Sequence, residues 1–322
     1  MINTTVIIVN WNGKKYLRDC LDSLERQTFK NFKVIFVDNG SGDDSVAFVR
    51  KNYPKVEIKE ISHNVGFSAG YNLGFRLAFR DENIKWVVAL NNDTKLDENY
   101  LGEIVGCAKR HSDAGSIQPK IFNFYEKEKI DCAGIYVARD GTAHNRGYGE
   151  IDRGQYNDEK EIFGANATAA LYSKESLEKT KLPNDNYFDR DHFAYYEDVD
   201  LALRMRLAGF KAYLCPKAIV WHVHSGSTGK SSLFNVYYLH RNYFFALIKN
   251  YPLGKLFKTL LIRAGSYFSL LLNVFKKKKR ETELMQGLGK ARVGFVILKA
   301  WGSVIVNLPS LIRKRKFIKN IR

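Results

Sequence analysis

The spacing of apolar and polar positions changes repeatedly along the first hundred residues, between a strand-like and a helix-like period. Residues 5–10 (TVIIVN) form a short β-branched run that predicts a buried strand. Over 14–26, Leu17, Cys20, Leu21 and Leu24 recur at helical spacing and predict a helix. Residues 33–37 (KVIFV) predict a second strand, stopped by the turn-forming Asp38-Asn39-Gly40-Ser41-Gly42. A helix over 44–52 and a third strand over 56–61 follow, and Asn64-Val65-Gly66-Phe67 then turns into a helix over 68–80. Residues 86–90 predict a fourth strand, broken at Asn91-Asn92-Asp93. Such alternation predicts an α/β fold built on a mostly parallel sheet with helices on both faces. Ligands of such sheets bind beyond the carboxyl ends of the strands. Here those ends carry Asn10, Asp38, Asn64 and Asn91 to Asp93, more polar strand ends than turn chemistry alone explains.

Residues 120–162, richer in Gly, Tyr and charge, predict hairpins and loops over the sheet. A short helix is expected over 174–179 and a better one over 198–208, closed by Gly209. Residues 211–214 and 219–223 read as late strands, and from 231 onward the pattern is helical and basic. No internal repeat is present.

Charge alters this picture at one end. The chain carries +17 over 322 residues, and from Asn250 onward 17 Lys/Arg face only Glu281 and Glu283. A nearly neutral body with a basic tail implies an anionic partner, lipid or nucleic acid. Residues 253–275 and 293–312 are apolar stretches beside the clusters 276–280 and 313–316. The first, interrupted by Lys255, Lys258 and Arg263, suits a helix in the membrane interface. The second is a marginal membrane span, with Lys299 and Pro309 against it. A soluble helical subdomain with a solvated basic face is the competing account. Cys20, Cys107, Cys132 and Cys215 are scattered without a CxxC pair, which argues against a thiolate zinc site or a disulfide framework. Residues 1–10 lack a basic leader and cleavage site, so cytoplasmic residence is expected.

Three constellations have the residue types for chemistry. Asp93 ends a buried strand and is placed to hold a hard cation beside a diphosphate, although Asp in such a turn is commonplace. Glu197-Asp198-Val199-Asp200 follows the aromatic Phe193-Ala194-Tyr195-Tyr196 and opens a helix. Acids there cap helices, and Asp200 and Arg204 have the spacing of a simple pair. Three acids beside aromatic rings nevertheless exceed capping needs and offer a desolvated general base. His222 and His224 fall on one face of a predicted strand, where one imidazole completes a metal site or is merely a satisfied polar group.

Taken in order, VIIVNWNG at 6–13, VDNGSGDDS at 37–45, NVGFSAGYNLG at 64–74, LNNDT at 90–94, YEDVDLALRMRLAGF at 196–210, HVHSGSTG at 222–229 and YYLHRNYFF at 237–245 resemble the family 2 inverting glycosyltransferases. The likeness is to the bacterial rhamnosyltransferase-like branch that builds cell-surface polysaccharides. It covers about the first 245 residues, and the ordered set is far more specific than any one motif. The resemblance implies a GT-A fold over 1–230, with nucleotide-sugar binding in 1–95 and the acceptor and base region in 96–230, followed by a helical, basic, membrane-associating region over 231–322. It implies that Val9, Asn10 and Asp38 line the nucleotide pocket, that Asn64 and Gly66 close the donor site, and that Asn91, Asn92 and Asp93 supply the metal-binding motif. That motif opens on Asn91 here, so only one carboxylate is kept. His222 would complete a Mg²⁺ or Mn²⁺ site and Asp198 would be the catalytic base. Gly164, Ala165, Asn166 and Glu197 would shape the acceptor side. The partners so implied are a nucleotide-diphosphate sugar (dTDP-rhamnose or a UDP-sugar), a lipid-linked or cell-surface glycan acceptor, and the anionic inner face of the cell membrane.

Two other classes were weighed. A dinucleotide-dependent oxidoreductase would carry GxGxxG at the first strand–helix turn, which instead reads Asn10-Trp11-Asn12-Gly13. A basic nucleic-acid-binding protein would interleave its charge with exposed aromatics. The charge here flanks apolar stretches, so lipid rather than nucleic acid is expected.

Overall fold

The computed structural model describes residues 2–223, 232–274 and 289–321. His224, the 224–229 part of its motif and the basic cluster 276–280 lie outside the described residues.

The predicted alternation is present. Strands β1 (Thr4–Asn10), β2 (Phe32–Asn39), β3 (Glu57–Ile61) and β4 (Trp86–Asn91) run parallel, with β1 between β2 and β4. The connecting helices are α1 (Lys14–Glu25), α2 (Ser45–Asn52) and α3 (Phe67–Ala78). β1 is buried on both faces, which is why it reads as a continuous apolar run. Val6 and Ile8 pack with Leu17, Leu21 and Ile104 in one core, and Ile7 packs with Tyr71, Phe75 and Leu201 in the other. Alternation along the strand thus feeds two helical layers. Gly70 and Gly74 let α3 lie close on β1: a Cβ at Gly74 would sit 2.3 Å from Ile7 Cγ2, and one at Gly70 2.8 Å from Val9 Cγ1.

Beyond β4 come β5 (Thr94–Leu96), α4 (Tyr100–Arg110), β6 (Ala114–Asn123), β7 (Ile130–Cys132), the hairpin β8 (Ile135–Val137) with β9 (Ala143–Asn145), β10 (Glu161–Ile162), β11 (Leu171–Ser173), α5 (Lys174–Thr180), α6 (Glu197–Leu207) and β12 (Lys211–His222). Among the described residues the main sheet runs β10-β12-β6-β11-β4-β1-β2-β3, with β5 paired to β12 and β7 to β6. Two expectations change. The two late strands are one, β12, whose register shifts between Cys215 and Ile219, where Pro216 supplies no N–H. The region expected to be loops begins inside β6, a buried strand near the middle of the sheet. Its polar residues masked it. Buried Gln118 accepts from Asn166 N at 2.6 Å, and buried Lys120 pairs with Asp152 at 2.8 Å.

The C-terminal helices α7 (Leu233–Asn250), α8 (Leu253–Val274) and α9 (Lys290–Ile318) are joined to this body through charge. Lys249 of α7 is fully buried between Asp189 and Asp200, 2.8 Å from the Asp200 carboxylate. Asp200 also holds Arg204 at 3.1 Å, the pairing its spacing predicts, and accepts from Asn250 at 2.7 Å. Lys314 of α9 reaches Asp191 at 2.7 Å and also contacts Asp189. Burial alone would raise the Asp200 carboxyl; Lys249 and Arg204 overcome it and bring it to about 2.

Because the folded value lies below that of an exposed carboxyl, this stabilisation is complete above about pH 4. It is lost as pH falls toward about 2. Lys249→Ala removes the cation shared by two buried carboxylates, leaving Asp200 with Arg204 and Asp189 with Lys314, and is expected to destabilise by about 3–5 kcal/mol, read from the urea midpoint at neutral pH.

Candidate active site

A cavity of about 910 Å³ opens at the carboxyl ends of β1 and β4 and extends to the aromatic face of α7. Its wall includes Val9, Asn64, Gly66, Asn91, Asn92, Asp93, Asn166, Glu197, Asp198 and His222, so most of the candidate residues meet there.

Asp93 and His222 lie 129 positions apart in sequence and are joined by sheet pairing. After β4 the chain turns at Asn91, whose carbonyl accepts from Thr94 Oγ1 at 2.7 Å, and enters β5. β5 pairs with the end of β12, setting Thr94 opposite His222. His222 Nε2 then lies 3.3 Å from Asp93 Oδ1, and Nδ1 lies 2.7 Å from Asp131 Oδ2. All three side chains are buried. Burial alone would lower the imidazole pKa; the charge of Asp93 and the hydrogen bond to Asp131 outweigh it and raise it to about 10. Asp131 fixes the ring by its far nitrogen, the second-shell arrangement that orients metal-binding histidines. A carboxylate oxygen and the Nε2 edge of an imidazole therefore face one cavity, and once His222 gives up its proton this donor set fits a divalent cation of the Mn²⁺ or Mg²⁺ kind. Asp131 was not foreseen. It sits in the three-residue β7, and nothing in its local pattern marks it.

Across the cavity, α6 opens on Glu197 and Asp198. Asp198 accepts from Val199 N at 2.8 Å and from Ala167 N at 3.3 Å. Burial raises its carboxyl, and these backbone donors hold the rise to about 6. Glu197 is pushed well above the usual carboxylate range by burial and then by the charge of Asp198. At about 6, Asp198 is largely ionised near neutral pH, the state in which a carboxylate accepts a proton.

Four expected residues stand behind the wall and are absent from the lining. Asp38 is buried and accepts from Asn10 Nδ2 at 3.1 Å, Ser41 N at 2.9 Å and Ser41 Oγ at 2.6 Å. Asn10 in turn accepts from Asn92 Nδ2 at 2.6 Å. These two brace the strand ends. Gly164 lies against α6, where a Cβ would come 2.4 Å from Ala202 Cβ, and Ala165 is buried in the core beneath. In their place the wall has Asn39, which donates to Asn64 Oδ1 and to Gly66 O, each at 3.1 Å, and accepts from Val65 N. Trp11, Phe193, Tyr195, Tyr196 and Phe234 add an aromatic rim, of which the sequence pattern marked only the 193–196 run.

A mostly parallel sheet with its acids and amides gathered at the strand ends is the GT-A architecture, that of nucleotide-sugar glycosyltransferases. Staphylococcus aureus TarS 1-349 in complex with UDP-GlcNAc superposes with a TM-score of 0.57 at 18% identity, covering 99% of this chain and 90% of that one. A mannosyltransferase from Pyrobaculum calidifontis, in complex with GDP-Man and Mn²⁺, superposes with a TM-score of 0.56 at 16% identity, covering 98% and 88%. The glycosyl transferase family 2 model matches residues 5–181, and the chain belongs to that family. It is an enzyme of the glycosyltransferase class. An N-acetylglucosaminyl-diphospho-decaprenol L-rhamnosyltransferase of Mycobacterium tuberculosis is 24% identical over 249 residues, 70% of this chain and 77% of that protein.

Gly66 has φ +88°, and a Cβ there would meet the Phe193 ring at 2.5 Å. Gly66→Ala is therefore expected to destabilise by about 1–3 kcal/mol, measured by chemical denaturation.

Proposed function

We propose that the protein is an inverting glycosyltransferase. It moves a sugar from a nucleotide-diphosphate donor, with dTDP-rhamnose or a UDP-sugar favoured, to a hydroxyl of a lipid-linked or cell-surface glycan in cell-wall or polysaccharide synthesis. One observation carries this reading: Asp198 lines the same cavity as the Asp93–His222 pair. The likeness to the mycobacterial rhamnosyltransferase and to a UDP-GlcNAc complex supports the donor class.

In this mechanism the donor lies over the ends of β1 and β4, between Val9, the Asn64–Gly66 turn and Asn91 to Asp93. Asn10 and Asp38 serve it from behind by bracing those ends. Asp93 and His222 would hold Mg²⁺ or Mn²⁺, and the ion would supply positive charge against the departing diphosphate. The acceptor enters from the side of Asn166 and Glu197, with Gly164 and Ala165 supporting that wall. As the acceptor hydroxyl oxygen attacks the anomeric carbon, Asp198 takes its proton. The bond from that carbon to the diphosphate oxygen breaks, and the nucleoside diphosphate leaves with the electron pair. One displacement inverts the sugar carbon. Burial and the charge of Asp198 oppose ionisation of Glu197, which favours Asp198 as the ionised carboxylate of the pair.

The proposed organisation is a catalytic unit over 1–230 and a membrane-associating region over 231–322, on the cytoplasmic face of the cell membrane. The exposed apolar side chains of α8 and α9 support it: Phe257 is 65% exposed, Ile305 72% and Val306 79%. Ala291–Ile321 has the length and hydropathy of a membrane span, and only 11% of its most apolar window is buried. Lys and Arg among these residues add attraction to anionic lipid of about 1 kcal/mol each.

Asp198→Asn should lower transfer by about 10²–10⁴-fold while nucleotide-sugar binding persists in a thermal-shift assay. Retained turnover would remove Asp198 from the role of base. In the wild type kcat should fall about tenfold per pH unit below about 6, because protonation removes the base. Chelation should abolish transfer and Mn²⁺ restore it; indifference to chelator would take the metal from the reading. Sedimentation with anionic vesicles tests the membrane face, and binding to neutral vesicles equally well would refute its electrostatic part.

A further inference from the structure

The segment before the Asp198 helix is held in an unfavourable backbone conformation. Phe193, Tyr195 and Tyr196 have φ of +63°, +68° and +67°. Residues with a Cβ avoid this region, and each such placement costs on the order of 1–3 kcal/mol. Three within four positions must be held from outside. The segment also carries both sides of the cavity. Phe193 O accepts from Ser68 N at 3.2 Å, its ring covers Gly66, and Tyr196 O accepts from Asp200 N at 2.9 Å.

What holds it comes from α7. Asn242 is fully buried, and its Nδ2 donates to His192 O at 2.9 Å, Ala194 O at 2.8 Å and Tyr195 O at 2.7 Å. Its Oδ1 accepts from Arg241 Nε at 2.8 Å. The Arg241 guanidinium donates to His192 O at 2.9 Å and to Asp191 O, and lies 4.6 Å from the Tyr238 ring centre. An amide group supplies two N–H donors against these three carbonyls, and only Asn or Gln carries both that donor pair and an acceptor for Arg241.

We propose that Asn242 is a positioning residue of the transferase: its carboxamide fixes the 192–196 turn, and so sets Asp198 against the Gly66 side of the cavity. The inference rests on the assignment of Asp198 as base, and it makes α7 part of the catalytic machinery.

Asn242→Ala should lower kcat about 100-fold, the scale of an ångström-sized displacement of a reacting group, with donor KM changed less than about threefold. Glycine adopts φ near +68° unaided, so Asn242→Ala combined with Tyr195→Gly should fall no further than Tyr195→Gly alone. Additive losses would overturn the proposal. Amide exchange supplies an arm that needs no turnover. In Asn242→Ala the Ser68 and Asp200 amides should exchange at least about tenfold faster while those of β1 do not change. Unchanged exchange, or equal acceleration everywhere, would overturn it. A wild type without transferase activity would sink the Asp198 assignment and leave the exchange result standing. If Asn242→Ala does not fold, Asn242→Ser, which keeps one donor, is measured in the same way. Failure of both to fold would mark the residue as purely structural and overturn the positioning role.

Discussion

A buried lysine ammonium, caught between Asp189 and Asp200, ties α7 to the helix bearing Asp198. Isolated in a protein interior, any of these charges would be untenable; together with Arg204 and Asn250 they satisfy one another. The consequence is geometric. Asp189 precedes the strained turn and Asp200 follows it, so Lys249 pins both flanks while Asn242, two helical turns earlier on α7, holds the middle. Lys314 carries the same connection into α9, where apolar side chains stand in solvent. The helix bearing Asp198, the turn before it and the basic C-terminal helix therefore share one buried electrostatic anchor.

The acids around α6 show how environment divides labour among like groups. Glu197 has burial and the charge of Asp198 against its ionisation and is driven up. Asp198 has backbone N–H donors that limit the rise to about 6. Asp200 has two cations and is driven down to about 2. Three carboxyls within four residues are thus driven in different directions by burial, backbone donors and neighbouring cations. Asp93 and Asp131 both line the cavity and meet His222 at its two ring nitrogens, Asp93 at Nε2 and Asp131 at Nδ1.

Structural likeness at 16–18% identity means that few side chains are shared with TarS or the mannosyltransferase, although the path of the chain is. What persists is the requirement to present polar groups at the carboxyl ends of parallel strands, where backbone groups are unpaired and a ligand can approach. The family match ends at residue 181, short of α6, β12 and α7. Those elements bring Asp198, His222 and Asn242, and the arrangement of this half is visible only in three dimensions.

The periodicity of residues 5–90 was enough to establish the alternating strands and helices, because each element buries its own apolar positions locally. The ordered motifs likewise singled out Asp93, Asp198 and His222, which the fold gathers around one cavity. Beyond local range the sequence was silent. β6 was hidden by buried polar residues whose partners come from distant loops, and Asp131 and Asn39 have no distinguishing neighbours. Asn10, Asp38, Gly164 and Ala165 carry the family pattern, yet they stand behind the wall: Asn10 and Asp38 spend their hydrogen bonds on each other, Ser41 and Asn92, while Gly164 packs on α6 and Ala165 in the core. Residue type and short-range spacing are written along the chain. Which face a side chain presents, and which remote carboxylate or amide meets it, is decided only when strands pair across more than a hundred residues.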